Sequence, residues 1–170
     1  MLVGAWCYLR PSELLALERR DVDLGTSLLH VRGTKTARSR RSVPVPLRAR
    51  QALEELPARI NTRLLFPAPA GGVYSLGNFR RRQLDWAVGA AGLPESVTPY
   101  TLRHTGLSWA LAAGIPAVDV ARFGGTSVTM LERHYHHLLV SSADTARARM
   151  DEFGATAAAA TNDADARGDV

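Results

Sequence analysis

Three predicted helices near the carboxyl end of the chain constrain its fold more than any other feature. The first spans 99–113, because proline is tolerated in the first turn of a helix and Gly114 interrupts the pattern that follows. A second helix is predicted over 115–123 and a third over 127–139. Amphipathic helices joined by such short connections pack on a shared core, so the body of the protein is expected to be helical.

Short β-rich runs between turn residues predict a small antiparallel sheet earlier in the chain. These runs span 21–24, 28–32 and 42–46. Further helices are predicted over 11–17, 47–56, 76–91 and 143–153. The expected fold class is therefore mixed α+β and mainly α, a helical domain with a three-stranded antiparallel sheet.

Length and composition favour one domain outside the membrane. A chain of 170 residues with 46% hydrophobic content can bury one sizeable core, and no apolar run is long enough to span a bilayer. The single cysteine, Cys7, excludes an internal disulfide and suits a reducing, cytoplasmic compartment. The domain is assigned to 1–153, because small and polar residues over 154–170 predict a disordered tail.

Positive charge is concentrated in the body of the chain. The whole chain carries a formal charge of +5, and since residues 151–170 hold five acids and one arginine, the first 150 residues carry +9. A body this basic is typical of proteins that bind a polyanion, most often nucleic acid, although a solvated basic surface without a partner has the same composition.

The most basic loop lies between the second and third predicted strands. Residues 33–41 contain four cations and no acid, a composition suited to a β-hairpin that contacts a phosphate backbone. The residues predicted to contact DNA there are Thr34, Arg38, Arg40 and Arg41. A second basic turn, Arg80, Arg81 and Arg82, faces either DNA or water.

Five segments together resemble the catalytic domain of the tyrosine recombinases, the phage integrase family. They are Tyr-Leu-Arg-Pro-Ser-Glu-Leu at 8–14, Thr-Lys-Thr at 34–36, Leu-Leu-Phe-Pro at 64–67, Thr-Pro-Tyr-Thr-Leu-Arg-His-Thr at 98–105 and Tyr-His-His at 135–137. The corresponding family patterns are Gly-Leu-Arg-x-x-Glu-Leu, Thr-Lys-Thr, Leu-Phe-Pro, His-x-x-Arg and Tyr-x-His. The resemblance implies double-stranded DNA as substrate, site-specific recombination or integration through a 3′-phosphotyrosyl intermediate, and tetramers on DNA in the full-length protein.

Four residues carry the chemistry that this resemblance implies. Tyr135 attacks the phosphodiester, Arg10 and Arg103 clamp the charged phosphate oxygens, and Lys35 protonates the departing hydroxyl. Lys35 is also the one lysine in an arginine-rich chain, and lysine, unlike arginine, gives up a proton near neutral pH when its pKa is lowered. No metal or other cofactor is expected.

Supporting roles fall on Glu13, Tyr100, His104 and Thr126. Two positions depart from the family pattern. Tyr100 stands where His-x-x-Arg has its histidine, and a phenol is a poorer acid or base near pH 7 than imidazole. The histidine of the family's Gly-His step falls on Gly125 or Thr126, of which Thr126 alone keeps a hydroxyl donor.

Other interpretations stay open at this point. A non-catalytic DNA-binding remnant would keep the fold and the basic face, and a type IB topoisomerase shares the chemistry. Three histidines around Tyr135 suggest a metal site, but residues that close on one helix cannot all point the same way. The family's DNA-clamping domain and first catalytic helix are expected to be absent, which would leave Leu2, Val3 and Trp6 without packing partners.

Overall fold

The computed structural model describes residues 1–33, 40–57, 61–139 and 146–156. The helices are α1 Leu2–Trp6, α2 Pro11–Leu15, α3 Leu47–Glu54, α4 Leu76–Phe79, α5 Asp85–Ala90, α6 Pro99–Ala112, α7 Ala117–Gly124 and α8 Val128–Leu139. The strands are β1 Val22–Asp23, β2 Leu28–Arg32 and β3 Arg40–Pro44. The predicted fold class, mainly helical with a three-stranded antiparallel sheet, is confirmed.

The sheet has the order β1-β2-β3 with antiparallel pairing throughout. Side chains alternate across it, so Leu29, Val31 and Val43 face the core while His30 and Ser42 face outward. Arg41 lies directly opposite Val31 in the register and therefore shares the inward face. This placement brings an arginine of the sheet to the helices beneath it.

The core joins the sheet to α1 and to the carboxyl-terminal helices. Leu9, Leu29, Val43, Val120 and Leu131 are all within 1% of complete burial. They come from the α1–α2 connection, the sheet, α7 and α8, so burial of apolar surface holds these elements in one unit.

Helix α1 packs against α6 through a close backbone approach. Gly106 of α6 meets the carbonyl group of Ala5, and the rings of Trp6 and Trp109 lie 5.0 Å apart. Val3 is 3% exposed, whereas Leu2 is 51% exposed. The prediction that Leu2, Val3 and Trp6 lack packing partners is therefore wrong for Val3, which belongs to the core, and for Trp6, which packs against Trp109 of α6.

Several helices differ from their predicted bounds. The predicted helix over 76–91 contains a π-helical segment at Arg80–Leu84 between α4 and α5. The last helix covers 146–156, and the rest of the predicted tail lies outside the described residues. Within the described ranges, no helix is both long and apolar enough to cross a membrane.

Candidate active site

Glu13 lies at the centre of the candidate site and fixes the first predicted phosphate-binding arginine. Pro11 opens α2, and Arg10 precedes it in an extended conformation. The Arg10 backbone N–H donates to Glu13 Oε2 at 2.8 Å, and Arg10 Nη1 donates to Glu13 Oε1 at 2.9 Å. One carboxylate therefore caps the helix and orients the Arg10 guanidinium.

Arg41 reaches the same carboxylate from β3. Its Nη1 and Nη2 donate to the two oxygens of Glu13 at 2.9 and 2.8 Å, and its Nε donates to the Phe123 carbonyl at 2.7 Å. Burial alone would raise the pKa of Glu13, but the bonds from Arg41 and Arg10 hold that pKa below its ordinary value. Glu13 is therefore a carboxylate at neutral pH.

Arg41 was predicted to contact DNA, and the structure gives its side chain another environment. The side chain is only 5% exposed, so a phosphate could reach the guanidinium only after it leaves Glu13. The alternation of side chains along a strand could have predicted this, because Arg41 lies two residues before the buried Val43 and therefore shares its face of the sheet.

Gly125 joins the two arginines to the end of α7. It caps that helix in the left-handed region at φ +62°, and its carbonyl accepts a hydrogen bond from Arg10 Nη2. A Cβ atom placed there would lie 2.9 Å from Arg41 Cζ and 3.1 Å from Arg10 Nη1. Both the backbone conformation and the two guanidinium groups therefore favour glycine at this position.

Arg103, the second predicted phosphate-binding arginine, is 8% exposed on α6. Its Nη1 donates to the Tyr8 carbonyl at 2.6 Å. Burial, together with the neighbouring charges of Arg10 and Arg41, lowers the pKa of Arg103 to about 10, so the group keeps its charge at neutral pH. Arg10 and Arg103 thus lie close enough to repel each other, an arrangement that favours a bound anion.

Tyr8 positions Arg103 from an unusual backbone conformation. Its φ of +51° lies in the left-handed region, which costs a residue with a side chain about 1–2 kcal/mol. Tyr8 is only 7% exposed, and burial of its apolar surface offsets part of that cost. Tyr8 is a third departure from the family pattern, because Gly-Leu-Arg-x-x-Glu-Leu has glycine at this position.

Tyr135 and His104 meet between α8 and α6. Tyr135 departs from helical geometry at φ −131° and ψ 19°, and the residue is 7% exposed. The phenol hydroxyl is hydrogen-bonded to His104 Nδ1. Burial raises the pKa of Tyr135, while the nearby Arg103 opposes that rise. The phenol is therefore protonated at neutral pH.

The model of the phage integrase family matches residues 3–141 of the chain, a range that contains every residue of this cluster. The chain belongs to the phage integrase family. Two curated relatives are both tyrosine recombinases XerC. The protein from Chromobacterium violaceum is 36% identical over 103 residues, which are 58% of this chain and 33% of the relative. The protein from Pseudomonas fluorescens is 33% identical over 140 residues, 78% of this chain and 45% of the relative.

Solved integrase and recombinase structures share the fold. The Tn1549 transposon integrase in complex with circular intermediate DNA is 22% identical with a TM-score of 0.69, over 89% of this chain and 58% of that one. The XerA recombinase is 23% identical with a TM-score of 0.67, over 89% and 54%. The chain thus spans between a third and three fifths of the length of these relatives.

The remaining predicted residues of this phage integrase family member have different environments. Tyr100 is 49% exposed and lines a groove of about 1110 Å³ together with Arg10 and Glu13. Thr126 is half-buried beside α7. The predicted DNA contacts that are exposed are Arg40, Arg80, Arg81 and Arg82. The predicted acid and two further predicted contacts lie outside the described residues: Lys35, Thr34 and Arg38.

The histidines near Tyr135 do not form a metal-binding cluster. Among the residues that the structure describes, no group of three or more histidine, cysteine or acidic side chains is placed to hold a metal ion. His136 and His137 have their rings 5.8 Å apart and nearly perpendicular, and both are exposed. The expectation that the chain needs no cofactor stays a prediction.

Proposed function

We propose that this chain cleaves and rejoins double-stranded DNA through a 3′-phosphotyrosyl intermediate on Tyr135. The observation that supports this most directly is the convergence of Arg10, Arg103 and Tyr135, which are distant in the sequence. Arg10 and Tyr135 both lie close enough to Arg103 to affect the pKa of its guanidinium group. A phosphate between the two arginines would therefore lie near the phenol oxygen.

The proposed chemistry follows from this arrangement. The Tyr135 oxygen attacks the phosphorus, the bond to the 5′ oxygen breaks, and the phosphotyrosyl bond keeps the energy needed for rejoining. Two planar guanidinium groups stabilise the charge that develops on the non-bridging oxygens. Lys35 is proposed to protonate the departing 5′ oxygen.

Structures of related proteins support DNA as the substrate. Both the Tn1549 transposon integrase and the XerH recombinase were solved in complex with DNA, the latter with its palindromic difH substrate. The charge of +9 on the first 150 residues suits the same partner. Assembly of the full-length protein as a tetramer on DNA belongs to this proposal.

Trapping a covalent adduct on duplexes of random sequence tests the proposal, because the pool contains every short target site. The chain is incubated with nicked duplexes in which cleavage near the nick releases a short fragment that diffuses away. We expect a small yield of SDS-resistant protein–DNA adduct, and no adduct from Tyr135→Phe, because that variant lacks the attacking oxygen. Sequencing the adducts identifies the preferred site.

Comparing the wild type with Tyr135→Phe distinguishes a DNA-cleaving enzyme from a non-catalytic DNA-binding remnant. Tyr135→Phe should bind the selected duplexes as tightly as the wild type, since the phenol oxygen contributes to chemistry rather than to the charged surface. Adduct formation by Tyr135→Phe would assign the nucleophile to another residue. Binding by the wild type without any adduct would favour the non-catalytic DNA-binding remnant.

The role of Lys35 is tested by replacing the leaving group. Lys35→Arg keeps the positive charge but cannot release a proton near neutral pH, so adduct formation on ordinary DNA should fall by a factor of about 10²–10⁴. A duplex with a bridging sulfur at the 5′ position should restore the rate, because a thiolate leaves without protonation. Tyr135→Phe is the control, because the sulfur-containing duplex should not restore adduct formation without the attacking oxygen. If this duplex also fails to restore adduct formation by Lys35→Arg, Lys35 is not the acid.

A further inference from the structure

The side chain of His104 is hydrogen-bonded to Tyr135, the predicted nucleophile. It follows Arg103 on α6, and its Nδ1 atom is bonded to the Tyr135 hydroxyl. The two rings lie 6.0 Å apart with a tilt of 37°. His104 is exposed to solvent, whereas Tyr135 is buried.

Cleavage requires an acceptor for the phenol proton. Burial raises the pKa of Tyr135, so the hydroxyl does not ionise unaided at neutral pH. Arg103 is a cation with no free lone pair and cannot take the proton. The histidine that the family pattern places before Arg103 is Tyr100 here, and its phenol is a weak acceptor.

We propose that His104 Nδ1 accepts the phenol proton as Tyr135 attacks DNA, which makes His104 a catalytic residue of the proposed reaction. The inference rests on the function proposed above. As the oxygen–phosphorus bond forms, the proton moves from Tyr135 to His104, and the departing 5′ oxygen takes its own proton from Lys35. In rejoining, the 5′ hydroxyl returns its proton to Lys35 and the imidazolium returns its proton to the phenolate.

The surroundings of His104 favour its neutral form, which can accept a proton. Burial, the adjacent Arg103 on α6 and His134 on α8 lower the pKa of His104 from its ordinary value. Tyr135 is the other titratable group that faces it from α8. The imidazole is therefore neutral at pH 7, which a base must be before the reaction.

Nitrogen NMR of the free protein tests the geometry without DNA. If Nδ1 accepts the bond, the neutral ring carries its hydrogen on Nε2, and the Nδ1 resonance should move in Tyr135→Phe. The His104 signals are assigned by their loss in His104→Asn. A hydrogen on Nδ1, or an Nδ1 resonance that does not change in Tyr135→Phe, would overturn the proposal.

Two substitutions separate proton transfer from positioning. In His104→Asn the amide oxygen lies close to the place of Nδ1, so it can hold the phenol hydroxyl but cannot take its proton. His104→Leu removes both properties. We expect both variants to slow adduct formation by a factor of about 10²–10⁴ on the duplexes selected with the wild type. If His104→Asn forms adducts at the wild-type rate, His104 only positions the phenol and the proposal is overturned.

The pH profile adds a readout that a structural role would not change. The wild-type rate should fall as pH drops through the His104 pKa, because the protonated ring cannot accept a second proton, and this acid limb should vanish in His104→Asn. His134→Gln is the control: it should keep the acid limb, moved to higher pH, because His134 lowers the pKa of His104 in the wild type. If the acid limb of the profile vanishes in His134→Gln but not in His104→Asn, the limb belongs to His134 and the proposal is contradicted.

The outcomes also distinguish this inference from the proposed function. If the wild type forms no adduct on any duplex, the proposed function fails and the inference fails with it. If the wild type forms adducts that Tyr135→Phe abolishes, and His104→Asn forms them equally fast, the function stands and the inference alone fails.

Discussion

Replacing Gly106 with alanine is expected to lower the free energy of unfolding by about 3 kcal/mol or more, at the upper end of the range for overpacked cores. A Cβ atom on Gly106 would lie far inside contact distance of the Ala5 carbonyl oxygen, 2.9 Å from the carbonyl carbon and 3.1 Å from Tyr8 Cδ1. The first two atoms are backbone and cannot rotate away. The clash is relieved only if α1 and α6 move apart, and this movement would loosen the packing of the core between them.

Thermal unfolding followed by circular dichroism measures this effect. For a chain of this size, 3 kcal/mol corresponds to a fall in Tm of about 6–12 °C. Gly89→Ala is the matched control, because Gly89 lies in the helix α5 and, apart from its chain neighbours and the backbone of its own helix, no heavy atom of a described residue would lie within 4 Å of its Cβ. That variant should gain about 0.5–1 kcal/mol from helix propensity. Equal Tm values for the two variants would contradict the close packing of α1 on α6.

The same close approach links stability to the candidate site. Arg103 lies on α6 three residues before Gly106, and its guanidinium donates to the Tyr8 carbonyl just beyond α1. A helix displaced from α1 would carry Arg103 away from Tyr8. The glycine therefore contributes to the placement of the predicted phosphate clamp as well as to the core.

The sequence predicted the elements whose signal is local. Proline and glycine bounded α6, turn residues bounded the strands of the sheet, and the confirmed fold class follows from these signals together. The helix α1 was not predicted, because its five residues are uniformly apolar and carry no capping signal. Its helical form depends on tertiary packing against α6, which a local pattern does not contain.

The predicted site residues depended on motif resemblance, and their contacts did not follow from it. The pattern marked Glu13 as a supporting acid but did not indicate that Arg41 would bind both of its oxygens from another element. The contact between His104 and Tyr135 was likewise not predicted, since it depends on the angle between α6 and α8 and on the break in helical geometry at Tyr135. Such contacts are set by packing between distant segments rather than by spacing along one of them.

Gly125 offers the sharpest test of how that packing serves the proposed chemistry. Its carbonyl holds Arg10, and its missing Cβ leaves the space in which the Arg41 guanidinium lies. In Gly125→Ala the new methyl group would meet Arg41 Cζ and Nη1 at 2.9 Å, so Arg41 must move and loosen its hold on Glu13. Arg10 shares that carboxylate, and it would therefore lose its orientation as well.

Gly92→Ala separates the backbone cost from the loss of these contacts. Gly92 has φ +63°, nearly the +62° of Gly125, but in the part of the chain that the structure describes no heavy atom beyond its two chain neighbours would lie within 4 Å of its Cβ. Both variants should lose about 1–2 kcal/mol of stability to the left-handed conformation, with a further loss in Gly125→Ala from the displaced guanidinium groups.

The rate of adduct formation should distinguish the two variants much more strongly than stability does. We expect Gly125→Ala to form adducts about 10²-fold more slowly, because a displacement of the phosphate clamp by about 1 Å is enough for such a loss, and Gly92→Ala to match the wild type. Nitrogen NMR should show the Arg41 Nε–H signal, bonded to the Phe123 carbonyl in the wild type, moved in Gly125→Ala and unchanged in Gly92→Ala. A shifted Arg41 signal with an undiminished rate would separate this arginine network from catalysis and leave it a purely structural role.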